Sequence, residues 1–359
     1  MKNMYKLLLF IFLIPLAVTA TKKEGKYTKN KVINKEFSVS KNATLKVSNK
    51  FGNIDIVTWN ENKISIKVSI TTNGNNEENV KKRLEQIDVE FDATNNSVEA
   101  KTMIAKTSSS WNLWGKKNNV RMEINYLIKM PITNNVDLSN DYGAINLDKL
   151  EGTSKINCDY GKLNIGELLN SNNRINIDYT NKSIIEFMKD GDINADYSTL
   201  HIEKSGNTKL NADYSHISFE KVNALNYNCD YGSLKINESG KLTGNSDYMH
   251  TTVKKMNGSG NFNIDYGSLK VGELGSNFNS FIVDASYTHV KIGLTNTVAF
   301  NINSSTSYSG FKYNDGFTFT KEIKKNQSKY YEGYYNNSNS GNTINIKASY
   351  GSITFINIK

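Results

Sequence analysis

The stretch Ile156-Asn157-Cys158-Asp159-Tyr160-Gly161-Lys162-Leu163-Asn164-Ile165 decides the fold, because close copies of it recur almost to the end of the chain. Each copy is centred on a tyrosine, and most neighbouring tyrosines are 17 to 19 residues apart. A fixed period of this size is typical of stacked repeat proteins. The tyrosines of the copies are Tyr142, Tyr160, Tyr179, Tyr197, Tyr214, Tyr231, Tyr248, Tyr266, Tyr287, Tyr308 and Tyr350.

The residues around each tyrosine alternate in polarity. With the tyrosine as position zero, apolar or small residues occupy positions −4 and −2, such as Ile156 and Cys158, and positions +3 and +5, such as Leu163 and Ile165. This period of two predicts two short strands, each with one buried face. Gly, Ser or Thr at position +1 allows a bend, so we expect the two strands to turn against each other there.

One such unit buries too little apolar surface to fold alone, and stacking of neighbouring units would bury a continuous core. Successive units would then lie about 4.8 Å apart with their strands parallel. The sequence therefore predicts an all-β, single-chain parallel β-solenoid (β-helix). The six-residue signature of left-handed β-helices is missing, which favours a right-handed coil.

The chain divides into three regions. Residues 1–20 read as a signal peptide, with Lys2 and Lys6 before an apolar run and Val18-Thr19-Ala20 before the expected cleavage. Residues 21–135 read as a small N-terminal α+β cap, with a first repeat-like strand pair around Phe51 and one helix near residues 76–87. Residues 136–359 hold the regular repeats, interrupted at about 314–340 by a long hairpin or a loop.

Composition limits the function. The chain of 359 residues has a mean hydropathy of −0.53 and a formal charge of +9, or +7 without Lys2 and Lys6. The lysines are scattered along the strands, whereas nucleic-acid binding favours clustered basic residues with interleaved aromatics. No later stretch is hydrophobic enough to span a membrane. We expect an exported protein of the periplasm, outer-membrane surface or extracellular space, with no nucleic-acid partner and no transmembrane segment in the mature chain.

The two cysteines, Cys158 and Cys229, occupy the same repeat position four units apart. Stacking at the strand spacing would separate them by roughly 19 Å. A disulfide needs Cα atoms within about 7 Å. We therefore predict two free, buried thiols, even in an oxidising compartment.

An aspartate precedes the tyrosine in most copies, and together they form a structural repeat. In consecutive units the carboxylates would repel, so something must compensate. Each could accept backbone N–H groups of its own turn, or the row could bind hard cations. Ser286, Ser307 and Ser349 replace Asp in the late copies, which favours the local explanation, and we expect no metal. The pairs are Asp159/Tyr160, Asp178/Tyr179, Asp196/Tyr197, Asp213/Tyr214, Asp230/Tyr231 and Asp265/Tyr266.

No catalytic residues are predicted. The sequence has no zinc-protease motif, nucleophile elbow or phosphate loop, and its four histidines fall at outward positions. We expect neither catalysis nor a cofactor. Two polar, aromatic segments are candidate binding sites, Trp111 with Trp114 and the group Tyr330, Tyr331, Tyr334 and Tyr335. Tryptophans in such a segment more often fold back over the cap.

The strand pair around Phe51, the serial Asp-Tyr-Gly-x-Leu-x-Ile units and the closing Ala348-Ser349-Tyr350-Gly351-Ser352-Ile353 together resemble the Bacteroidetes-type β-strand-repeat proteins described as "putative adhesins". The resemblance implies a β-helical fold, a cell-envelope location and no assigned catalytic residue. We interpret the protein as a binding, adhesin-like or structural module whose partner is an unknown envelope protein or glycan, with an oligomeric state left open. A carbohydrate-active β-helix enzyme and a periplasmic sensor or assembly factor remain alternatives.

Overall fold

The computed structural model describes residues 25–105 and 120–358. Strands dominate these residues, and the described part contains one helix, Glu77–Glu85. The strands join in one 25-stranded sheet of mixed parallel and antiparallel pairs. The prediction of an all-β protein is confirmed. The predicted signal peptide and the Trp111 and Trp114 segment lie outside the described residues.

The strands follow one another closely along the chain. Their bounds are β1 Tyr27–Ser38, β2 Thr44–Lys50, β3 Ile54–Trp59, β4 Lys63–Gly74, β5 Ile87–Thr94, β6 Ser97–Ile104, β7 Arg121–Pro131, β8 Asn135–Asp141, β9 Ala144–Leu150, β10 Ser154–Asp159, β11 Lys162–Leu168, β12 Asn173–Asp178, β13 Ser183–Asp196, β14 Thr199–Asp213, β15 His216–Met256, β16 Gly260–Asp265, β17 Ser268–Leu274, β18 Ser280–Ser286, β19 His289–Leu294, β20 Phe300–Ser307, β21 Gly310–Lys312, β22 Phe317–Lys325, β23 Ser328–Tyr335, β24 Thr343–Ser349 and β25 Ser352–Asn357.

Within the repeats, equivalent residues of successive units pair in parallel. Strand β10 pairs with β12 so that Ile156 faces Ile175 and Asp159 faces Asp178. The strands after the tyrosine do the same, as β11 pairs with both β9 and β13. Each unit forms hydrogen bonds with the corresponding segment of its neighbour. The repeat period in the sequence therefore sets the register in which the strands pair.

The bend lies on the tyrosine itself. All eleven repeat tyrosines have a backbone φ between +49° and +62°, and Phe51 has +64°. This left-handed conformation is uncommon for a bulky residue and reverses the alternation of buried faces. Strand β10 ends at Asp159 and β11 begins at Lys162, so the chain bends over Tyr160 and Gly161 as expected. The left-handed residue of the bend is nevertheless the tyrosine, because no repeat glycine at position +1 has a positive φ. Gly161 instead permits close approach, since a Cβ there would come within 2.0 Å of the Gly143 carbonyl oxygen.

The core consists of the predicted apolar positions. Ile156, Cys158, Leu163 and Ile165 are all at most 2% exposed, and equivalent residues are buried in the neighbouring units. Burial of this apolar surface is the main favourable term in folding. Both cysteines are free and buried, as predicted. Burial raises the pKa of the Cys158 and Cys229 thiols to about 12.

The two ends of the described sheet depart from purely parallel pairing. At the N-terminal end, β4 lies between β1 and β7 and is antiparallel to both, while β5 and β6 form an antiparallel hairpin. The predicted helix begins after Asn76, whose side chain accepts a hydrogen bond from the Asn79 N–H, and it buries Val80. Strand β3 pairs in parallel with β9 on one side and β7 on the other, so the Phe51 unit joins this region to the repeats.

At the C-terminal end the spatial order of the units differs from their order in the chain. Strand β24 pairs in parallel with both β18 and β20, and β25 pairs with both β19 and β21. The last unit, 343–357, is therefore inserted between two units that precede it in sequence. In the sequence, residues between β21 and β24 form a hairpin of β22 and β23. Strand β23 pairs antiparallel with β20 and so covers the edge of β20 that β24 leaves free.

Candidate binding surface

The most regular surface feature is a row of stacked aromatic rings, which we call the tyrosine ladder. Neighbouring ring centroids are 4.8 to 5.3 Å apart, with interplanar angles of at most 11°. The eleven tyrosines of the ladder are about half exposed, and Phe51 is less exposed. In spatial order the ladder is Phe51, Tyr142, Tyr160, Tyr179, Tyr197, Tyr214, Tyr231, Tyr248, Tyr266, Tyr287, Tyr350 and Tyr308.

Stacking leaves the ladder with a particular surface chemistry. Each interior ring has a neighbour on both faces, so a planar ligand has no free face to contact there. The exposed parts are the ring edges and phenolic hydroxyls. Partial burial first, and the neighbouring rings next, raise the pKa of Tyr160, Tyr197 and Tyr231. These three tyrosines therefore stay protonated at neutral pH, and each of their hydroxyls is a hydrogen-bond donor and acceptor.

The aspartate column runs beside the ladder, with consecutive carboxylates in register. We expect from the sequence that the carboxylates accept N–H groups of their own turns. Those of Asp196 and Asp230 instead accept the backbone N–H of Asp213 and Asp247 in the next unit, at 3.2 and 2.9 Å. At the first repeat, Lys50 lies 2.8 Å from Asp141. The compensation therefore comes partly from the neighbouring unit.

The repulsion between neighbouring aspartates is only partly compensated, as the pKa values of several carboxyl groups show. Burial first, and adjacent aspartates next, raise the pKa of Asp159, Asp178, Asp213 and Asp247. Among the described residues, no group of three or more His, Cys, Asp or Glu side chains is arranged to hold a metal ion. The carboxylates thus stand as a row of partly desolvated, mutually repelling charges.

Two further rows of side chains are ordered by hydrogen bonds between units. In one row, the side-chain amides of Asn176, Asn194 and Asn211 each donate to the asparagine side chain of the preceding unit at 2.7 to 2.9 Å. Each histidine lies 2.9 Å from a serine of the next unit through its Nδ1 atom, as in the pair of His201 and Ser218. These side chains satisfy each other and hold the face rigid.

The predicted aromatic group on the hairpin divides into two kinds. Tyr331 and Tyr335 are 4% and 2% exposed and belong to an aromatic cluster with Phe300, Phe311 and Phe317. Because they close the end of the core, these two rings are not free to contact a partner. Tyr330 and Tyr334 are half-buried and face outward from the same strand. The alternation along β23 could have been recognised from the sequence, had the segment been identified as a strand.

One open groove crosses the corner that precedes several repeats. It has a volume of about 420 Å³ and is lined by Asn172, Asp190, Asn207, Lys209 and Lys241, among others. Its walls carry both signs of charge and several amides. Asp190 accepts a hydrogen bond from the backbone N–H of Asn207 at 2.7 Å. The carboxylate is thus already used within the fold.

No protein-family model and no curated protein matches the chain. Solved structures do resemble it over most of its length. A "putative cell adhesion protein" from Clostridium sporogenes is 14% identical and matches 92% of this chain and 100% of its own, with a TM-score of 0.19. A "putative adhesin" from Parabacteroides distasonis is 8% identical, with coverages of 91% and 97% and a TM-score of 0.31.

A "putative lipid binding protein" from Parabacteroides distasonis is 9% identical, covers 90% of this chain and 96% of its own, and has a TM-score of 0.28. The descriptions of the first two structures name the same class as the resemblance drawn from the repeat motifs. In the part of the chain that the structure describes, no helix is long and apolar enough to cross a membrane.

Proposed function

We propose that the protein is an exported module of the cell envelope that winds as a single-chain, right-handed parallel β-solenoid and acts by binding, without catalysis. The observation that carries this proposal is the tyrosine ladder. Eleven centroid separations of 4.8 to 5.3 Å give it a length of about 54 Å. Extended, rigid faces of this kind are what solenoid proteins use to contact partners.

The regularity of the face supports binding over catalysis. The units from Tyr160 to Tyr266 repeat the same Asp, Tyr and Asn, whereas an active site needs a local departure that places an acid, a base or a nucleophile against one bond. Asp196 and Asp230 are engaged with backbone N–H groups of the next unit. A row of equivalent hydroxyls and carboxylates instead suits many weak, simultaneous contacts with a polymer or a large partner.

The winding is tested by distances between spin labels. Lys155, Asn226 and Asn261 occupy the same repeat position, five residues before the tyrosine. In a solenoid the Lys155→Cys/Asn226→Cys pair should be separated by roughly 19 Å and the Lys155→Cys/Asn261→Cys pair by roughly 29 Å, one strand spacing per unit. The native cysteines are buried and should stay unlabelled. Separations that do not grow with the number of intervening units would contradict the proposed winding.

The binding role is tested with the full chain and purified cell-envelope fractions. We expect retention of the wild-type protein by envelope polysaccharide or envelope protein, and no release of reducing sugar ends during prolonged incubation. Replacing two neighbouring ladder hydroxyls, as in Tyr197→Phe/Tyr214→Phe, keeps the stacked rings and should weaken retention. Release of reducing ends would favour the enzyme alternative, and lack of any retention would reject the binding proposal.

A further inference from the structure

The regular surface changes character at the C-terminal end. The row that holds the aspartate column continues from Asp265 through Ser286, Ser349, Ser307 and Ser328 to Lys325, because these residues are successive partners in the sheet. The column thus passes from acidic to neutral to basic across six neighbouring strands. The order of these residues in the sequence does not show this change, because the unit of Ser349 lies between those of Ser286 and Ser307 in space and the hairpin follows Ser307.

The neighbouring row changes in the same direction. Asp284 pairs with Lys347, Lys347 with Ser305, and Ser305 with Tyr330. Together the two rows line a groove of about 410 Å³ between the hairpin and the last units, to which Lys329 also contributes. Three lysines and one aspartate line this groove, which gives it a net positive charge in a chain whose ladder is bordered by carboxylates.

The lysines of the groove are free to meet an external anion. Within residues 25–105 and 120–358, no carboxylate lies within 4.0 Å of the ammonium groups of Lys325, Lys329 or Lys347, although several other lysines of the chain form such pairs. The nearest ion pair on the hairpin joins Lys324 to Glu322 at 2.6 Å. Glu332, beside the groove, is engaged by the Tyr330 hydroxyl at 3.0 Å.

An aromatic platform lies next to this groove. Tyr308 follows Ser307 directly, and its backbone N–H donates to the Gln327 carbonyl of the hairpin. Its ring stacks on Tyr350 at 5.0 Å on one side and is 58% exposed, the largest value in the ladder. Every other exposed ring of the ladder has aromatic neighbours on both faces. No aromatic ring of the described residues stacks on the other face of Tyr308, and the C–H face of a sugar ring can pack on the electron-rich face of a tyrosine.

We propose that the Tyr308 face and the adjacent lysine groove form a binding site for a carboxylated glycan, such as a polymer containing uronic acid. The ring supports one sugar, the serine hydroxyls of the row bond its neighbours, and the lysines pair with the carboxylates. The loss of aspartate from the column at Ser286, Ser349 and Ser307 removes the charges that would repel such a ligand. This site deepens the binding role proposed above and rests on it.

The test uses the full chain with two matched probes, a hexasaccharide of uronic acid and the same hexasaccharide with its carboxyl groups reduced to alcohols. Titration calorimetry should show that the wild-type protein binds the acidic probe at least about tenfold more tightly than the neutral one, as expected for charge-assisted hydrogen bonds. The triple variant Lys325→Gln/Lys329→Gln/Lys347→Gln should lose that preference, and the preference of the wild-type protein should weaken with added salt.

Matched control variants distinguish loss of this binding site from a general loss of positive charge and from a loss of folding. Lys209→Gln/Lys241→Gln/Lys270→Gln removes the same charge elsewhere and should leave the preference unchanged. Tyr308→Ala should weaken binding of both probes, whereas Tyr27→Ala, which removes a tyrosine ring of β1 outside the ladder, should weaken binding of neither. Equal affinity for the two probes, or equal losses in the two triple variants, would overturn the assignment. Retention by envelope fractions without binding of either probe would reject this site while leaving the broader binding role intact.

Discussion

The left-handed tyrosine is the feature whose energetics can be tested most directly. Tyr197 lies in the middle of the ladder, with its ring centroid 4.9 Å from Tyr179 and 5.0 Å from Tyr214. An aromatic pair contributes about 0.5–1.5 kcal/mol beyond its buried area, so Tyr197→Ala loses about 1–3 kcal/mol of stability from two pairs. Tyr308→Ala removes one pair and should cost about half as much.

The backbone conformation of Tyr197 also affects stability, and it favours glycine over alanine at this position. Tyr197 has a φ of +49°, a conformation that costs roughly 1–2 kcal/mol for a residue with a Cβ and little for glycine. Glycine also carries about 0.5–1 kcal/mol of additional backbone entropy in the unfolded chain. The net result is that Tyr197→Gly, which loses the same ring, should be about 0.5–1 kcal/mol more stable than Tyr197→Ala. This order is the reverse of that expected inside an ordinary strand.

Urea unfolding followed by far-ultraviolet circular dichroism measures the difference, provided that the dependence on urea concentration is the same for all variants. Tyr197→Phe keeps both stacked neighbours and serves as the control, with an expected change within about 0.5 kcal/mol. The reasoning fails if Tyr197→Ala is as stable as the wild type, if Tyr308→Ala costs as much as the central substitution, or if the glycine variant is the less stable of the two.

Three further predictions concern the aspartate column, the buried cysteines and the close contact between successive units at Gly161. Because burial and the adjacent Asp196 raise the pKa of Asp178, its charged form weakens the fold. Wild-type stability should therefore fall as pH rises from the unfolded aspartate pKa of about 3.9 through the raised folded value. Asp178→Asn should gain ~0.2–1 kcal/mol at pH 7 and show a flatter pH profile in urea melts. The Cys158 and Cys229 thiols should react with an aromatic disulfide reagent only at the rate of unfolding; rapid labelling of the native protein would contradict their burial. Gly161→Ala should cost about 1–3 kcal/mol in the same melts, because the new Cβ meets the Gly143 carbonyl at 2.0 Å, and an unchanged midpoint would show that the units can move apart.

Much of this protein could be predicted from local pattern. The alternation around Tyr160 predicts the strands and their buried faces, because side chains of a strand point to opposite sides with a period of two. The constant spacing predicts which residues lie opposite one another, and hence the burial of Cys158 and the asparagine hydrogen bonds. Like the helix after Asn76, these features depend on residues close in sequence or repeated at one interval.

Other features depended on contacts that no local pattern encodes. The sequence points to Gly161 as the bending residue, whereas packing against the next unit places the left-handed conformation on Tyr160, where ring stacking offsets its cost. The carboxylate of Asp196 finds its donor in the following unit. The last unit enters between two earlier ones because β24 and β25 fit two exposed parallel edges at once, and chain order carries no information about that choice. The juxtaposition of Tyr308 with the hairpin lysines follows from this arrangement alone.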